Sequence, residues 1–200
     1  MVAAVQSRRN EAAAAGGAPA PAGARRVPYL PADPASPEGR LAAHRLALLL
    51  AQDGSPTRLC ERLLGAPVFL RLVRQGAARQ VPEAVRALLP AARYIERISS
   101  KEGAGQVMMD AISWIAADDL PADLHAGLLA GRLPMGHLLE GHWVRRVPVA
   151  APAAVFERLW AAVGCPDAGA SRAYRLDTPQ GPRMLIAETF RAGMEQAGRA

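Results

Sequence analysis

Aromatic side chains are scarce in this sequence. Phe, Tyr and Trp make up 4% of its 200 residues, so a core must rest on Leu, Val, Ile and Met. Lysine is scarcer still: Lys101 is the only one, and every other basic side chain is Arg. The net charge of +6 favours anionic partners in general. The arginines are scattered, though, with pairs only at 8–9, 25–26 and 145–146. No basic run alternates with aromatics, as a base-stacking platform requires, so no nucleic-acid partner is expected. There are two cysteines, Cys60 and Cys165, and neither has a metal-ligand neighbour at short spacing. Cys60 falls in a helical pattern and reads as buried rather than reactive. A reducing, cytoplasmic compartment is the simplest reading. The longest apolar run, LALLLA at 46–51, is far short of the roughly 18 residues of a membrane span.

Catalytic signatures are missing too. The chain has no phosphate loop, no GxGxxG, no HExxH and no GxSxG. His137 and His142 are five apart, one more than the usual metal-binding helical pair. They read as surface or supporting groups, and no metal or organic cofactor is expected. Asp118 and Asp119 read as a turn and helix-start pair, not a catalytic dyad.

What is present organises into one domain with two tails. Residues 1–26 are Ala/Gly/Pro-rich and bury nothing, which predicts a disordered tail. Arg8-Arg9 is followed by too weakly apolar a stretch for an export signal. The folded domain is expected over 27–192, with a short tail at 193–200. Residues 40–52 carry a leucine pattern of helical period. Ser55 with Pro56 at the first helical position opens a second helix, with Leu59, Leu63 and Leu64 as its stripe and Gly65 as its stop. VFLRLVRQ, ARYIERISS and QVMMDAISWIA read as strands, the last two joined by KEGAG as a hairpin. VPEAVRALLP, LPADLHAGLLAGR and LPMGHLLEGHW read as short helices. WVRRVPV reads as extended, and APAAVFERLWAAVG as an amphipathic helix. SRAYRLDTPQGPRMLIAETF reads as a hairpin turning at TPQG. No internal repeat is visible. The fold class is therefore α+β, with an antiparallel sheet of about six strands and helices packed on it.

Two residues stand out against this pattern. Alternation in RMLIAETF puts Met184, Ile186, Glu188 and Phe190 on one strand face. That face is otherwise apolar, so Glu188 needs a partner or a task. In ARYIERIS, Arg93, Ile95 and Arg97 share one face, and an inward Arg requires an anion. Either Arg97 and Glu188 form a buried ion pair, or both line a pocket in which a ligand carboxylate joins them.

The order of several short motifs resembles the chorismate lyases, which convert chorismate to 4-hydroxybenzoate and pyruvate. The resemblance runs from about Leu46 to Phe190 and is carried by LLLAQDGSPT, VFLRLVRQG, RYIERIS, LPMGHLL and MLIAETF. It implies an antiparallel sheet of about six strands, helical flaps and an internal ligand pocket. It also implies that Arg97 grips a substrate carboxylate and that Glu188 is the active-site glutamate, acting as general acid/base without a cofactor. Pro56 stands where some members place a methionine that touches the ligand, and Met135 replaces a leucine of the pocket wall. The hairpin KEGAGQVMMDAISWIA is not a close match. A pocket of altered shape is therefore expected. Two further readings stay open: a related enzyme of secondary metabolism acting on another carboxylated molecule, and a non-catalytic ligand-sensing domain, since effector domains of some bacterial repressors are thought to share this fold. The expected partner in each case is a small carboxylate. Monomer and dimer are both compatible with the sequence.

Overall fold

The computed structural model describes residues 23–118 and 120–196. Local chemistry sets most element ends. Helix α1 (Pro37–Ala51) begins at Ser36, whose hydroxyl accepts from the Gly39 amide, with Pro37 at the first helical position. Helix α2 (Pro56–Leu64) repeats the device with Ser55 and Pro56, and stops at Gly65 in the left-handed region at φ 66°. Strand β1 (Phe69–Ala77) and the short helix α3 (Glu83–Leu88) follow. Strands β2 (Tyr94–Gly103) and β3 (Gln106–Ala116) form a hairpin. Its two turn residues, Ala104 and Gly105, both have positive φ, as a type I′ turn demands. Then come α4 (Ala122–Ala130), α5 (Met135–Leu138), β4 (Arg145–Pro148) and α6 (Ala153–Val163). Strands β5 (Ser171–Thr178) and β6 (Gly181–Phe190) make the last hairpin, and a one-turn helix α7 (Gly193–Gln196) ends the described chain.

The six strands form one antiparallel sheet in the order β1-β2-β3-β6-β5-β4. This is the α+β architecture expected from the sequence. Strand β1 is an exposed edge, with Leu72 and Val73 partly in solvent.

The two faces of the sheet differ in chemistry. One packs Tyr94, Ile98, Ile112, Trp114, Leu185 and Ala187 against Val85 and Leu89 near α3 and Val155 and Leu159 of α6. This is an ordinary apolar core, with fully buried Trp114 as its largest member. The opposite face is apolar only at its two ends. Phe190 and Met109 pack with α1 and α2 at one end. Ile115, Leu176, Met184 and Ile186 pack with α4 and α5 at the other. The site lies between these clusters.

Residues flanking 27–192 also touch the domain. Most of the tail expected over 1–26 lies outside the described residues, and so does Arg8-Arg9. Arg25, however, forms a parallel bridge with Gln106. Arg26 donates from Nε to both oxygens of Asp110, at 3.0 and 3.2 Å, and from Nη2 to Ser100 at 3.0 Å. Fully buried Arg191 meets the same carboxylate at 2.7 Å. At the C-terminal end, Met194 is buried in the core and Glu195 accepts from Tyr29. The charged side chains Arg26 and Glu195 thus tie both flanking segments to the domain. Of the Asp118–Asp119 pair, Asp118 caps a turn, accepting from the amides of Ala92 and Arg93. Asp119 lies outside the described residues.

Candidate functional site

Strand pairing places the polar residues of the second face in rows. Ser99 of β2, Ala111 of β3, Glu188 of β6 and Arg172 of β5 stand side by side across four strands. The next row holds Arg97, Ser113, Ile186 and Tyr174. Ser99, Ala111 and Ser113 are small, so the middle of the sheet carries no tall side chain there. A hollow results, with taller residues around it. Its rim includes Pro56 and Thr57 of α2, Met135 and Gly136 of α5, and Leu139 just beyond. A Cβ on Gly136 would come within 2.6 Å of the Ser55 hydroxyl oxygen and 2.7 Å of that of Thr57. Only glycine lets α5 lie this close to the start of α2, and together they roof the hollow.

All four residues singled out from the sequence, Arg97, Glu188, Pro56 and Met135, line this one cavity. It is about 20 Å³, room for little more than a water molecule. A ring-sized ligand therefore needs the α2/α5 roof to move outward. Leu139 and Leu176 also border a second, wider cavity of about 540 Å³ that opens past Trp143 and Met184.

Glu188 is 1% exposed and has a partner, but it is not Arg97. Its cross-strand neighbour Arg172 donates from Nε to Oε1 at 2.7 Å, with Nη2 at 2.6 Å from the same oxygen. Arg172 also donates from Nη1 to the carbonyls of Leu49 and Leu50, at 3.0 and 3.2 Å, and to that of Gln52. It thereby satisfies open carbonyls at the end of α1, where a cation is electrostatically favoured. The second Glu188 oxygen accepts from the Tyr174 hydroxyl at 3.2 Å. Burial, with the Glu188 charge beside it, raises the Tyr174 phenol far above its ordinary range, so it stays protonated and donating.

Arg97 has no such partner. It is 2% exposed, and Nη2 donates to the Leu133 carbonyl at 2.7 Å. Its Nε and Nη1 find no acceptor among the described residues. Burial pushes its guanidinium down to about 10, which still leaves it charged at neutral pH. An ion pair between Arg97 and Glu188, one of the two sequence readings, is therefore absent among the described residues. The arrangement instead sets a guanidinium with two free donors and a firmly held carboxylate around one small hollow.

Sequence reasoning missed Arg172, Tyr174, Lys101 and Arg146 as site residues. Alternation in SRAYRLD puts Arg172 and Tyr174 on one face, and that signal was available. What it could not supply was the strand register that sets Arg172 opposite Glu188. No histidine lines the hollow among the described residues, and His137 pairs with Glu61 at 2.9 Å and His142 with Asp123 at 3.2 Å. No cluster of three metal-ligating side chains occurs among the described residues. Cys60 is fully buried, and burial pushes its thiol up to about 12, so it is not a nucleophile. No helix among the described residues is long and apolar enough to cross a membrane.

No family model and no curated protein matches this chain. Some solved structures are loosely similar. The effector domain of PhnF from Mycobacterium smegmatis aligns at 14% identity and a TM-score of 0.46, over 69% of this chain and 88% of that one. The ligand-binding domain of a putative GntR-family transcriptional regulator from Bordetella bronchiseptica aligns at 18% identity and a TM-score of 0.34, over 62% and 84%.

Proposed function

We propose that this domain binds a small carboxylated molecule in the cavity between Arg97 and Glu188. The observation that carries this reading is the buried Arg97 fork, with two donors that have no acceptor among the described residues. Desolvating a guanidinium is costly, and a ligand carboxylate accepting from its free donors offsets that cost. Across the hollow, Glu188 is held by Arg172 and Tyr174, so it serves as a fixed acceptor for a ligand hydroxyl. The pair selects a molecule with a carboxylate at one end and a hydroxyl donor at the other. Helices α2 and α5 would close over it and exclude water, which strengthens both contacts. Binding in this mode suits a ligand-sensing domain: Arg172 and Tyr174 already engage both Glu188 oxygens and fix the carboxylate in place.

A second reading is chorismate lyase activity. It is favoured by Arg97 and Glu188 lying in one cavity, as the motif resemblance implies, with a protonated Tyr174 hydroxyl touching Glu188. In that reaction the ether C–O bond to the ring breaks and the ring loses hydrogen from the adjacent carbon. That proton ends on the methylene of the departing enolpyruvate, giving pyruvate and an aromatic ring. Arg97 and Glu188 would orient the substrate, and aromatisation would supply the driving force.

One experiment separates the two. The protein is titrated with chorismate and with 4-hydroxybenzoate by calorimetry, and pyruvate release is followed in parallel. Saturable binding of either compound that is lost in Arg97→Met supports the pocket. Pyruvate release abolished in Glu188→Gln establishes turnover, and binding without it establishes sensing. If neither compound binds, nor any other small hydroxycarboxylate of a panel, the pocket reading is wrong.

A further inference from the structure

Among the described residues, Glu188 is the only acid lining the cavity, whereas Arg97, Lys101 and Arg146 are cations lining it. The Glu188 charge is already matched by Arg172. Three cations therefore converge on the hollow without a carboxylate of their own. Arg146 is half-buried and lies 5.9 Å over the Tyr174 ring, whose face offsets part of its charge, while its Nε has no acceptor among the described residues. Lys101 has neither such exposure nor such a ring among the described residues. It is 6% exposed, and no salt bridge reaches it among the described residues. It shares a strand face with Arg97 and Ser99 and stands two positions beyond Ser99, on the side away from Arg97. The nearby acid on the opposite face, Asp110, is shared between Arg26 and Arg191. A thiol packed nearby, Cys60, stays protonated.

We propose that Lys101 is a second anion anchor of this site, and that the ligand carries two anionic groups, one taken by Arg97 and one by Lys101. This rests on the carboxylate-pocket reading above and names the substrate class within it. Burial holds the Lys101 ammonium below the ordinary lysine range, and an anion beside it would offset that desolvation. A lone lysine in an otherwise all-arginine chain, buried at a ligand cavity, also fits the chemistry. An ammonium is a compact donor that reaches one oxygen in a narrow space, where a planar guanidinium needs more room.

The test uses benzoate against the dicarboxylates isophthalate and terephthalate, none of which can undergo the lyase reaction, with the full chain and calorimetric detection. A third arm, phenyl phosphate, distinguishes a doubly charged single group from two carboxylates. The wild-type protein should bind the better dicarboxylate, or phenyl phosphate, on the order of tenfold more tightly than benzoate. Lys101→Met should remove that preference and leave benzoate affinity within about threefold, while Lys101→Arg should retain part of it. Arg97→Met should weaken all four ligands. Wild-type protein that binds benzoate without preferring any dianion would overturn the Lys101 assignment and leave the carboxylate pocket standing. Equal loss of benzoate and dianion affinity in Lys101→Met would reduce Lys101 to a packing role. No binding by the wild-type protein of any of the four would count against both.

Discussion

Replacing Arg97 by Met should stabilise the empty protein and abolish ligand binding, and the opposite signs are the diagnostic. Met keeps the unbranched apolar stem and removes the charge. The fall of the Arg97 guanidinium from 12.5 to about 10 corresponds, at ~1.4 kcal/mol per tenfold, to about 3 kcal/mol of cost to the folded state. The sign follows from linkage. The folded protein binds this proton less well than the unfolded chain does. The penalty is therefore complete below pH of about 10 and fades as pH rises toward the unfolded value. Met also loses the 2.7 Å bond to the Leu133 carbonyl, which costs about 1 kcal/mol. The net expectation is about 2 kcal/mol of stabilisation at pH 7, or a rise in melting temperature of roughly 4–8 °C for a domain of this size. Urea denaturation from pH 6 to 9 should show a constant gap between variant and wild type, narrowing in the alkaline range. Calorimetry with a carboxylated ligand should show binding lost. An Arg97→Met protein that is destabilised and binds normally would refute the reasoning: Arg97 would then be a structural residue whose cost the fold already meets.

Other parts of the molecule give independent tests. Asp110→Ala leaves fully buried Arg191 without its carboxylate and frees Arg26, so unfolding free energy should drop by about 3–5 kcal/mol in urea titration. Ala104→Gly relieves a residue held at φ 50° in the β2–β3 turn, and should raise stability by about 1 kcal/mol by the same measurement. Glu188→Gln retains the shape of the side chain and removes the charge that Arg172 matches. Affinity for a hydroxylated ligand should fall relative to its deoxy analogue, as competition calorimetry can read, and any pyruvate release should slow.

Much of this architecture was legible along the chain because it depends on near neighbours. The Ser55-Pro56 start and Gly65 stop of α2 are set by one turn of helix each, and the structure has them at those residues. The β5–β6 hairpin turns between Thr178 and Gly181, within the TPQG anticipated. Alternation alone put Arg97 and Glu188 on inward faces. What alternation cannot contain is which strand lies beside which. The sheet order sets β6 between β3 and β5, and this register gave Glu188 to Arg172 rather than to Arg97. Ala111, Ser99 and Ser113 read as unremarkable small residues until pairing put them in adjacent rows, where their size makes the hollow. The contacts of the flanking residues were hidden for a related reason. Arg26 and Glu195 sit in polar or low-complexity stretches, and their partners Asp110 and Tyr29 lie far away in sequence.

The sequence by itself determined that this is an α+β protein with an antiparallel sheet, and that one Arg and one Glu face inward and must be compensated. Period, caps and turns act over a few residues, and a linear chain displays them directly. Only the tertiary structure decided how each is compensated: Glu188 by a neighbouring strand, Arg97 by nothing among the described residues. Compensation of a buried charge is a matter of which atoms meet within about 3 Å. Arg172 and Glu188, 16 residues apart in the chain, reach that distance only through the order of the folded sheet.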